Sequence, residues 1–419
     1  MRFGLVSGNI HFAGSGRSNV IPLAKALNKA GHEVYLIDVS PGLSSHTTDS
    51  ETSFHVFKVG PFSALLRQPW LVGKYFTKTK RLPWMTAYEL NRVLHKLPID
   101  VVYVFSNVHV LPVLLRAPLE RAITVINLIG FGISPDRGGP ENTFRFQSEI
   151  FSRPMWEIQA CATEFEYKAY KRVYEELLLD PRKLQFMPHS YDDSLFFPDD
   201  GVVRDRKQIV YPVAVYPRKN IEMLLEVTAK LANITPIDVI ITGPIVDQNY
   251  FNYLQDRCIE LGISQSVSFF KGRLNSGQLA DLLRGTDLVL FPSFQETFGI
   301  GIVESLACGV PVLLPNDIPA LRQFNSLKGV HTVDRVVDSF VEVARNLLGA
   351  PLFHNEKVAV ADEVRQQFSN TIVARNLVIA CREAIAVRQK LRDLNWEGLY
   401  DDQPFVESMF QRERSHEST

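Results

Sequence analysis

Two glutamates stand eight positions apart around the predicted start of a helix. Glu296 lies in the loop after the apolar strand Leu288–Phe291, and Glu304 lies within the helix that follows. In a parallel sheet such a loop lies at the carboxyl edge, where ligands bind. The first-turn amides attract an anion, and Gly299 and Gly301 let a phosphate approach the backbone. This arrangement suits a nucleotide sugar. One acid would bind sugar hydroxyls, the other would bind ribose hydroxyls, and the amides would bind the diphosphate. Taken singly, Glu296 is equally consistent with a surface or capping acid and Glu304 with a buried structural one.

A lysine precedes a second predicted helix and lies at the same edge of the predicted sheet as Glu296. Lys219 follows the predicted strand Gln208–Val215 and comes just before the helix predicted over Ile221–Ala232. A cation at this place would stabilise negative charge on a bound ligand. The alternative is an ordinary lysine at the start of a surface helix.

Loops after other predicted strands carry further candidates. Gly14 and Gly16 open the helix predicted over Arg17–Ala30, either as a ligand-binding loop or as an ordinary loop. His11 and His109 also lie near strand ends, either as ligand contacts or as ordinary loop histidines. The glycine spacing is not G-x-G-x-x-G, and no Walker A lysine pattern occurs, so we expect no nicotinamide and no other cofactor.

Composition excludes several classes of function. The 419 residues include 45 Lys plus Arg and 46 Asp plus Glu, a net charge of −1 that gives no reason to expect a nucleic-acid partner. The four cysteines are far apart and no Cys/His cluster has zinc spacing, so we expect buried thiols and no metal. The amino-terminal segment is too short and glycine-broken for a signal peptide, and no apolar run approaches the ~20 residues that cross a bilayer. We therefore expect a cytoplasmic protein.

One stretch, residues 58–88, stands out by its charge. Between Thr52 and Tyr88 there is no acidic residue, whereas six basic residues are interleaved with aromatic ones. This composition suits an anionic membrane surface, which would place the protein peripherally at the inner face of the membrane. The alternative is a solvated, variable face of the first domain, since Pro69 and Gly73 break any long amphipathic helix.

Strand and helix patterns alternate along the chain, which predicts an α/β architecture with parallel sheets. This alternation of strands and helices occurs in both halves of the chain, so the sequence predicts two Rossmann-like units in tandem. We expect an acceptor-side domain over residues 1–198, a nucleotide-sugar domain over 199–375, and a returning helix with a polar tail over 376–419. Residues from Asp362 to about Leu391 are predicted to be helical.

The region around the two glutamates resembles the family-4 retaining glycosyltransferases. The segments that match the family's Glu-x7-Glu block are Phe291-Pro292-Ser293, Glu296-Thr297-Phe298-Gly299, Glu304-Ser305 and Ala307-Cys308-Gly309-Val310-Pro311-Val312. Segments similar to other landmarks of the family are Gly31-His32-Glu33-Val34, Met187-Pro188-His189-Ser190-Tyr191-Asp192, Thr242-Gly243-Pro244 and Phe270-Lys271-Gly272.

The resemblance implies a GT-B fold, in which two Rossmann-like domains face each other across a cleft and a C-terminal helix crosses back to the first domain. It implies a metal-independent transfer of a hexosyl or related group from a nucleotide-diphosphate sugar to a hydroxyl acceptor, such as a glycan or a lipid-linked glycan. The catalytic candidates are Glu296, Lys219 and Arg218. The donor-binding candidates are Glu304, Thr297, Phe298, Gly299, Ile300, Gly14, Gly16, Gly272 and Arg273, and the acceptor-side candidates are Asn127, His109 and His11.

Two positions depart from the family pattern. Ala214 stands where the family usually has an arginine, five residues before Lys219, and Arg218 is the candidate substitute. No histidine follows the strand that ends near Leu128, where we find Asn127 instead. These departures leave two alternatives open: a degenerate sugar-nucleotide-binding or scaffold protein, and a nucleotide-sugar epimerase or hydrolase of the same fold.

Overall fold

The computed structural model describes residues 1–8, 10, 15–40, 43–49, 52–60, 82–105, 122–127, 156–199, 205–272 and 274–393. Their strands form two separate sheets, the first before residue 187 and the second after residue 206. Most of the basic stretch at 58–88 lies outside the described residues. In the described part of the chain, no helix combines the length and the apolar character that crossing a membrane requires.

The first sheet contains eight of the described strands. In chain order they are β1 Arg2–Ser7, β2 Glu33–Val39, β3 Ser45–Thr48, β4 His55–Val59, β5 Val101–Phe105, β6 Ile123–Asn127, β7 Ile158–Cys161 and β8 Leu184–Phe186. Their spatial order is β3-β4-β2-β1-β5-β6-β7-β8, and every pair is parallel except β3 with β4. Phe3 and Leu5 enter one core and Val6 enters another, as expected for a parallel sheet that is covered on both faces.

The second sheet contains six described strands, all parallel. They are β9 Lys207–Pro212, β10 Ile237–Gly243, β11 Val267–Lys271, β12 Leu288–Leu290, β13 Val312–Pro315 and β14 Val330–Val333. Their spatial order is β11-β10-β9-β12-β13-β14. The chain builds outward from β9 on one side and then adds β12 on its other side. The junction of β9 and β12 is therefore a topological switch point, where a crevice opens at the carboxyl edge of the sheet.

Helices connect the strands in both halves. They are α1 Ser15–Lys29, α2 Leu82–Lys96, α3 Glu164–Glu176, α4 Ile221–Ala232, α5 Gln248–Glu260, α6 Ser276–Arg284, α7 Ile300–Ala307, α8 Val337–Gly349, α9 His354–Phe368 and α10 Asn370–Arg392. The helices predicted over Arg17–Ala30 and Ile221–Ala232 are found as α1 and α4, within two residues of those bounds. The sequence predictions contained no counterpart of α2, α3 or α8.

The long helix α10 leaves the second half of the chain and packs against the first sheet. Val373, Leu377 and Cys381 recur every four residues on one face of α10 and are buried in the core that contains Phe3 and Leu5. Near its carboxyl end, Arg388 donates to the carbonyl oxygen of Ala122 at 2.9 Å. The predicted return of the carboxyl-terminal helix to the first half is therefore present.

The segment from Asp362 to about Leu391 is helical as predicted, but it is divided between α9 and α10. Ser369 lies between them in an extended conformation, and its hydroxyl accepts from the Ile372 N–H at 3.3 Å. The linker between the two sheets pairs with the chain at this break: Tyr191 N–H donates to Phe368 O, and Asn370 N–H donates to Tyr191 O. The backbone groups that a continuous helix would use internally are thus taken by the linker.

Candidate active site

The loops that follow β9 and β12 meet at the topological switch point of the second sheet. The first loop, residues 213–220, ends in a short 3₁₀ turn over Pro217–Lys219. The second loop, residues 291–299, leads into α7. Backbone and side-chain bonds join the two loops: Phe294 N–H donates to Arg218 O at 3.1 Å, and Asn220 Nδ2 donates to Pro292 O at 3.0 Å. These bonds bring together Lys219 and Glu296, two of the three catalytic candidates of the sequence analysis.

Lys219 and Glu296 form a nearly buried ion pair across these loops. Nζ of Lys219 lies 2.6 Å from Oε1 of Glu296, and the two side chains are 12% and 10% exposed. Ser293 Oγ donates to the same carboxylate oxygen at 2.7 Å. A pair that is withdrawn from water in this way needs good geometry and further hydrogen bonds to offset the cost of desolvation. The structure therefore brings these two predicted residues into direct contact.

The amino terminus of α7 opens beside this pair. Gly299 has φ 84° and no side chain caps the helix, so the first-turn N–H groups of Ile300 and Gly301 have no intrahelical partner. A Cβ atom on Gly301 would lie 3.1 Å from Pro212 Cγ and 3.2 Å from Phe291 Cζ, so a larger residue would push α7 away from the sheet. The first-turn N–H groups, the positive end of the helix and a nearby lysine together favour an anionic group.

The other donor-binding candidates of this loop and of α7 differ in how far they are exposed to solvent. Thr297 is exposed, Glu304 is half-buried on the second turn of α7, and Ile300 is half-buried against the core. The ring of Phe298 is 2% exposed and packs against His189, Phe324 and Phe368. Phe298 therefore offers a ligand its backbone, while its ring belongs to the core.

Arg218 does not reach the ion pair. Its guanidinium bonds the hydroxyl of Tyr216 at 3.2 Å and lies 5.4 Å from the centre of that ring. Ala214 supplies no charge to replace the arginine of the family pattern. In the described residues around this pair, the cation that touches Glu296 is Lys219 alone.

The remaining candidates are only partly described. Gly272 has φ 134° and its backbone pairs with Gly243 at the carboxyl edge of β10 and β11. Gly16 is the second residue of α1. Asn127 ends β6 at the predicted edge, but its side chain is 1% exposed and Nδ2 donates to the Tyr103 hydroxyl at 3.3 Å. The candidates His11, Gly14, His109 and Arg273 lie outside the described residues.

Three polar residues of the site were missed by the sequence analysis. Tyr211, Ser293 and Asn220 are buried and link the two loops. Ser293 stood inside the matched Phe-Pro-Ser segment, which was a signal that it lies near Glu296. The hydroxyl of Tyr211 within the apolar run of β9 was the corresponding signal for that residue.

His189 was also missed as a residue of the site region. It lies on the linker between the sheets, 5% exposed, with its ring edge-on to Phe298 at 5.0 Å. Burial lowers the pKa of His189 to about 4, so the ring is neutral at pH 7. Among the described residues, its Nε2 has no hydrogen-bond partner.

No group of three or more His, Cys, Asp or Glu side chains in the described ranges is arranged to hold a metal ion. Positive charge at the site comes from Lys219 and the start of α7. The four cysteines are buried and form no disulfide.

The second half of the chain matches a known family at the sequence level. The match covers residues 194–366, which include β9 to β14 and the paired Lys219 and Glu296. The matching family model is that of the glycosyl transferases group 1.

A curated relative extends the comparison. The D-inositol 3-phosphate glycosyltransferase of Stackebrandtia nassauensis is 30% identical over 185 residues, which cover 39% of this chain and 42% of the relative. The chain thus aligns with less than half the length of this curated relative.

Solved structures match the chain over nearly its whole length. Sucrose-phosphate synthase of Thermosynechococcus elongatus gives a TM-score of 0.73 at 16% identity, covering 92% of this chain and 99% of that one. Anabaena HepE, solved in complex with UDP and glucose, gives 0.66 at 15% identity and covers 91% and 100%. At these identities the likeness concerns the fold, and the fold is that of the GT-B glycosyltransferases.

Proposed function

We propose that the protein is a retaining glycosyltransferase of family 4, which transfers a hexosyl or related group from a nucleotide-diphosphate sugar to a hydroxyl acceptor. The observation that carries the proposal is the buried Lys219–Glu296 pair beside the uncapped start of α7. It provides a cation and free amides for a diphosphate and a carboxylate for sugar hydroxyls. Its place within the residues that match the glycosyl transferases group 1 family model supports this assignment.

In the proposed reaction, the bond between the sugar C1 and the donor phosphate breaks while the acceptor oxygen bonds to C1 on the same face. The acceptor proton passes to the departing phosphate oxygen. Lys219 and the first amides of α7 stabilise the charge on that diphosphate. This arrangement would neutralise the leaving group without a metal ion, so we expect transfer to proceed unchanged in EDTA.

Glu304 is proposed to bind the ribose of the donor. A hydrogen bond to a charged group contributes about 1.5–3 kcal/mol, so Glu304→Ala should weaken UDP binding by roughly 10-fold or more. Affinity for 2′,3′-dideoxy-UDP should change far less, because that ligand lacks the hydroxyls. The matched control is Glu342→Ala on an exposed face of α8. Unchanged UDP affinity in Glu304→Ala would contradict the ribose role.

The first experiment is a thermal-shift screen of nucleoside diphosphates and nucleotide sugars. A ligand at 100 times its Kd should raise the free energy of unfolding by about 2.7 kcal/mol. UDP and UDP-glucose come first, because UDP and glucose occupy the Anabaena HepE structure. A response to one nucleotide sugar supports the proposal, and no response to any of them refutes it.

Product analysis then separates the reaction types. Nucleoside diphosphate that is released only when an acceptor is present indicates transfer, whereas release without acceptor indicates a hydrolase and a changed sugar indicates an epimerase. The acceptor panel should include inositol phosphates, since the curated relative above is a D-inositol 3-phosphate glycosyltransferase. Binding without turnover over the whole panel would favour a degenerate binding protein, for which Ala214→Arg is the first variant to test.

The proposed acceptor is a glycan or lipid-linked glycan, as in polysaccharide biosynthesis, reached from the cytoplasmic side. The acid-free basic stretch at residues 58–88 supports a contact with the inner membrane face. Flotation with vesicles containing anionic lipid should recover the protein at low salt and lose it at high salt. Absence of salt-sensitive recovery would refute the membrane contact while leaving the transfer activity untouched.

A further inference from the structure

The phenol hydroxyl of Tyr211 forms hydrogen bonds beside the Lys219–Glu296 ion pair. Tyr211 belongs to β9 and is fully buried. Its hydroxyl donates to the carbonyl oxygen of Lys219 at 2.9 Å and lies 2.5 Å from Oγ of Ser293. Ser293 is also fully buried and lies 2.7 Å from Oε1 of Glu296. The phenol thus contacts the Lys219 backbone directly and reaches Glu296 through Ser293.

A count of protons gives the direction of these bonds. The two hydroxyls supply two protons for three contacts, and a carboxylate or a carbonyl can only accept. Ser293 must therefore donate to Glu296, and Tyr211 shares its proton between Ser293 Oγ and the Lys219 carbonyl. Each hydroxyl polarises the next, so the chain from Tyr211 through Ser293 strengthens the final bond to the carboxylate.

The same bonds leave one oxygen of Glu296 available. Oε1 receives both Lys219 and Ser293. Oε2 has no hydrogen-bond partner within the part of the chain that the structure describes. With Oε1 anchored from two directions, the carboxylate cannot rotate without losing two charge-assisted bonds. Oε2 therefore has a defined position and can accept from a ligand hydroxyl.

We propose that Tyr211 and Ser293 are positioning residues, which hold the Glu296 carboxylate so that Oε2 accepts from hydroxyls of the donor sugar. This inference rests on the proposed function, because it takes the ligand of Glu296 to be that sugar. Tyr211 acts through Ser293, and Ser293 acts through Glu296. Tyr211 also bonds Lys219, but at its backbone carbonyl and not at its ammonium group. We therefore expect both residues to affect binding of the sugar more than binding of the nucleoside diphosphate.

The test compares the affinity for a nucleotide sugar with the affinity for the matching diphosphate. The probes are UDP with UDP-glucose, ADP with ADP-glucose, and GDP with GDP-mannose, titrated by calorimetry into the full chain. In Ser293→Ala and Tyr211→Phe, we expect affinity for the nucleotide sugar to fall by about 3- to 30-fold, since a bond to a charged group is weakened. Affinity for the diphosphate alone should stay within about 2-fold of wild type.

Tyr174→Phe is the matched control. Tyr174 is fully buried and its hydroxyl makes two side-chain bonds, to Trp156 and Gln159, beside the first sheet. Its loss should lower stability as much as the loss of the Tyr211 hydroxyl, without changing the ratio of the two affinities. Because this ratio is taken within one protein, general destabilisation does not imitate the expected result.

The double variant tests whether Tyr211 acts through Ser293. Tyr211→Phe combined with Ser293→Ala should weaken nucleotide-sugar binding no more than Ser293→Ala alone, because the relay is already cut. Additive losses, equal losses for sugar and diphosphate, or no loss would each overturn the inference. A wild-type protein that binds none of the three pairs would instead overturn the proposed function, on which the inference depends.

Discussion

Nζ of Lys219 and Oε1 of Glu296 are 2.6 Å apart, although 77 positions separate the two residues in the chain. The contact exists because β9 and β12 are neighbours in the sheet and end at the same edge. The carboxylate is therefore the partner of the cation in this structure. A bound diphosphate would compete with Glu296 for this lysine.

Breaking this pair should cost stability. In Lys219→Met the Glu296 charge is left in a site that is about nine-tenths buried, and loss of one partner of a buried pair costs about 3–5 kcal/mol. We expect urea unfolding to show a loss approaching that range, with much of it recovered in Lys219→Met/Glu296→Gln. The control is Lys230→Met. The side chains of Lys230 and Asp338 are more than half exposed, so the loss of their ion pair should lower the free energy of unfolding by only about 0–1 kcal/mol. Equal effects of the two lysine variants would contradict the burial argument.

The start of α7 should tolerate no added methyl group. The Cβ of Gly301→Ala would press on Pro212 and Phe291, and overpacking of this kind costs about 1–3 kcal/mol. The shift of α7 should also weaken binding of a nucleoside diphosphate. Gly349→Ala is the control, because nothing lies within 4 Å of its new Cβ at the end of α8. Melting temperatures and UDP titrations of the two variants check both effects, and similar values for the two would refute the tight approach.

The return of α10 should contribute to the stability of the first half. Leu377 is fully buried on this helix, and Leu→Ala at such a site costs about 2–5 kcal/mol. Ile379 is two positions away and 48% exposed, so Ile379→Ala should change the free energy of unfolding by less than about 1 kcal/mol. Chemical denaturation of both variants measures the difference. If the two alanine variants unfold alike, α10 is not anchored through this face.

His189 should make stability depend on pH in weak acid. Its pKa is lowered by burial from an ordinary 6.5 to about 4, so between these values the unfolded chain binds a proton that the folded chain does not. The free energy of unfolding therefore falls as the pH drops through this window, by up to about 1.4 kcal/mol per pH unit. His189→Gln should flatten this part of the profile. Unfolding measured from pH 7.5 to pH 4 checks this, and parallel profiles for variant and wild type would contradict it.

The sequence by itself determined most of the local elements and predicted a chemistry for the loop over residues 291–299. Apolar alternation and glycine positions located β9, α4 and α7 closely, because these signals depend on neighbours along the chain. The Glu296–Glu304 spacing around a helix start indicated a phosphate and sugar site for the same reason. The break between α9 and α10 was missed, because the linker that takes those backbone bonds lies far away in sequence.

Only the tertiary structure decided which side chains meet. The order of strands brought Lys219 to Glu296, while Arg218 turned to Tyr216 instead of replacing the arginine absent at position 214. Tyr211 and Ser293 also meet only in the tertiary structure, since 82 positions separate them in the chain. Such contacts depend on sheet topology and burial, and no periodicity within one segment encodes them.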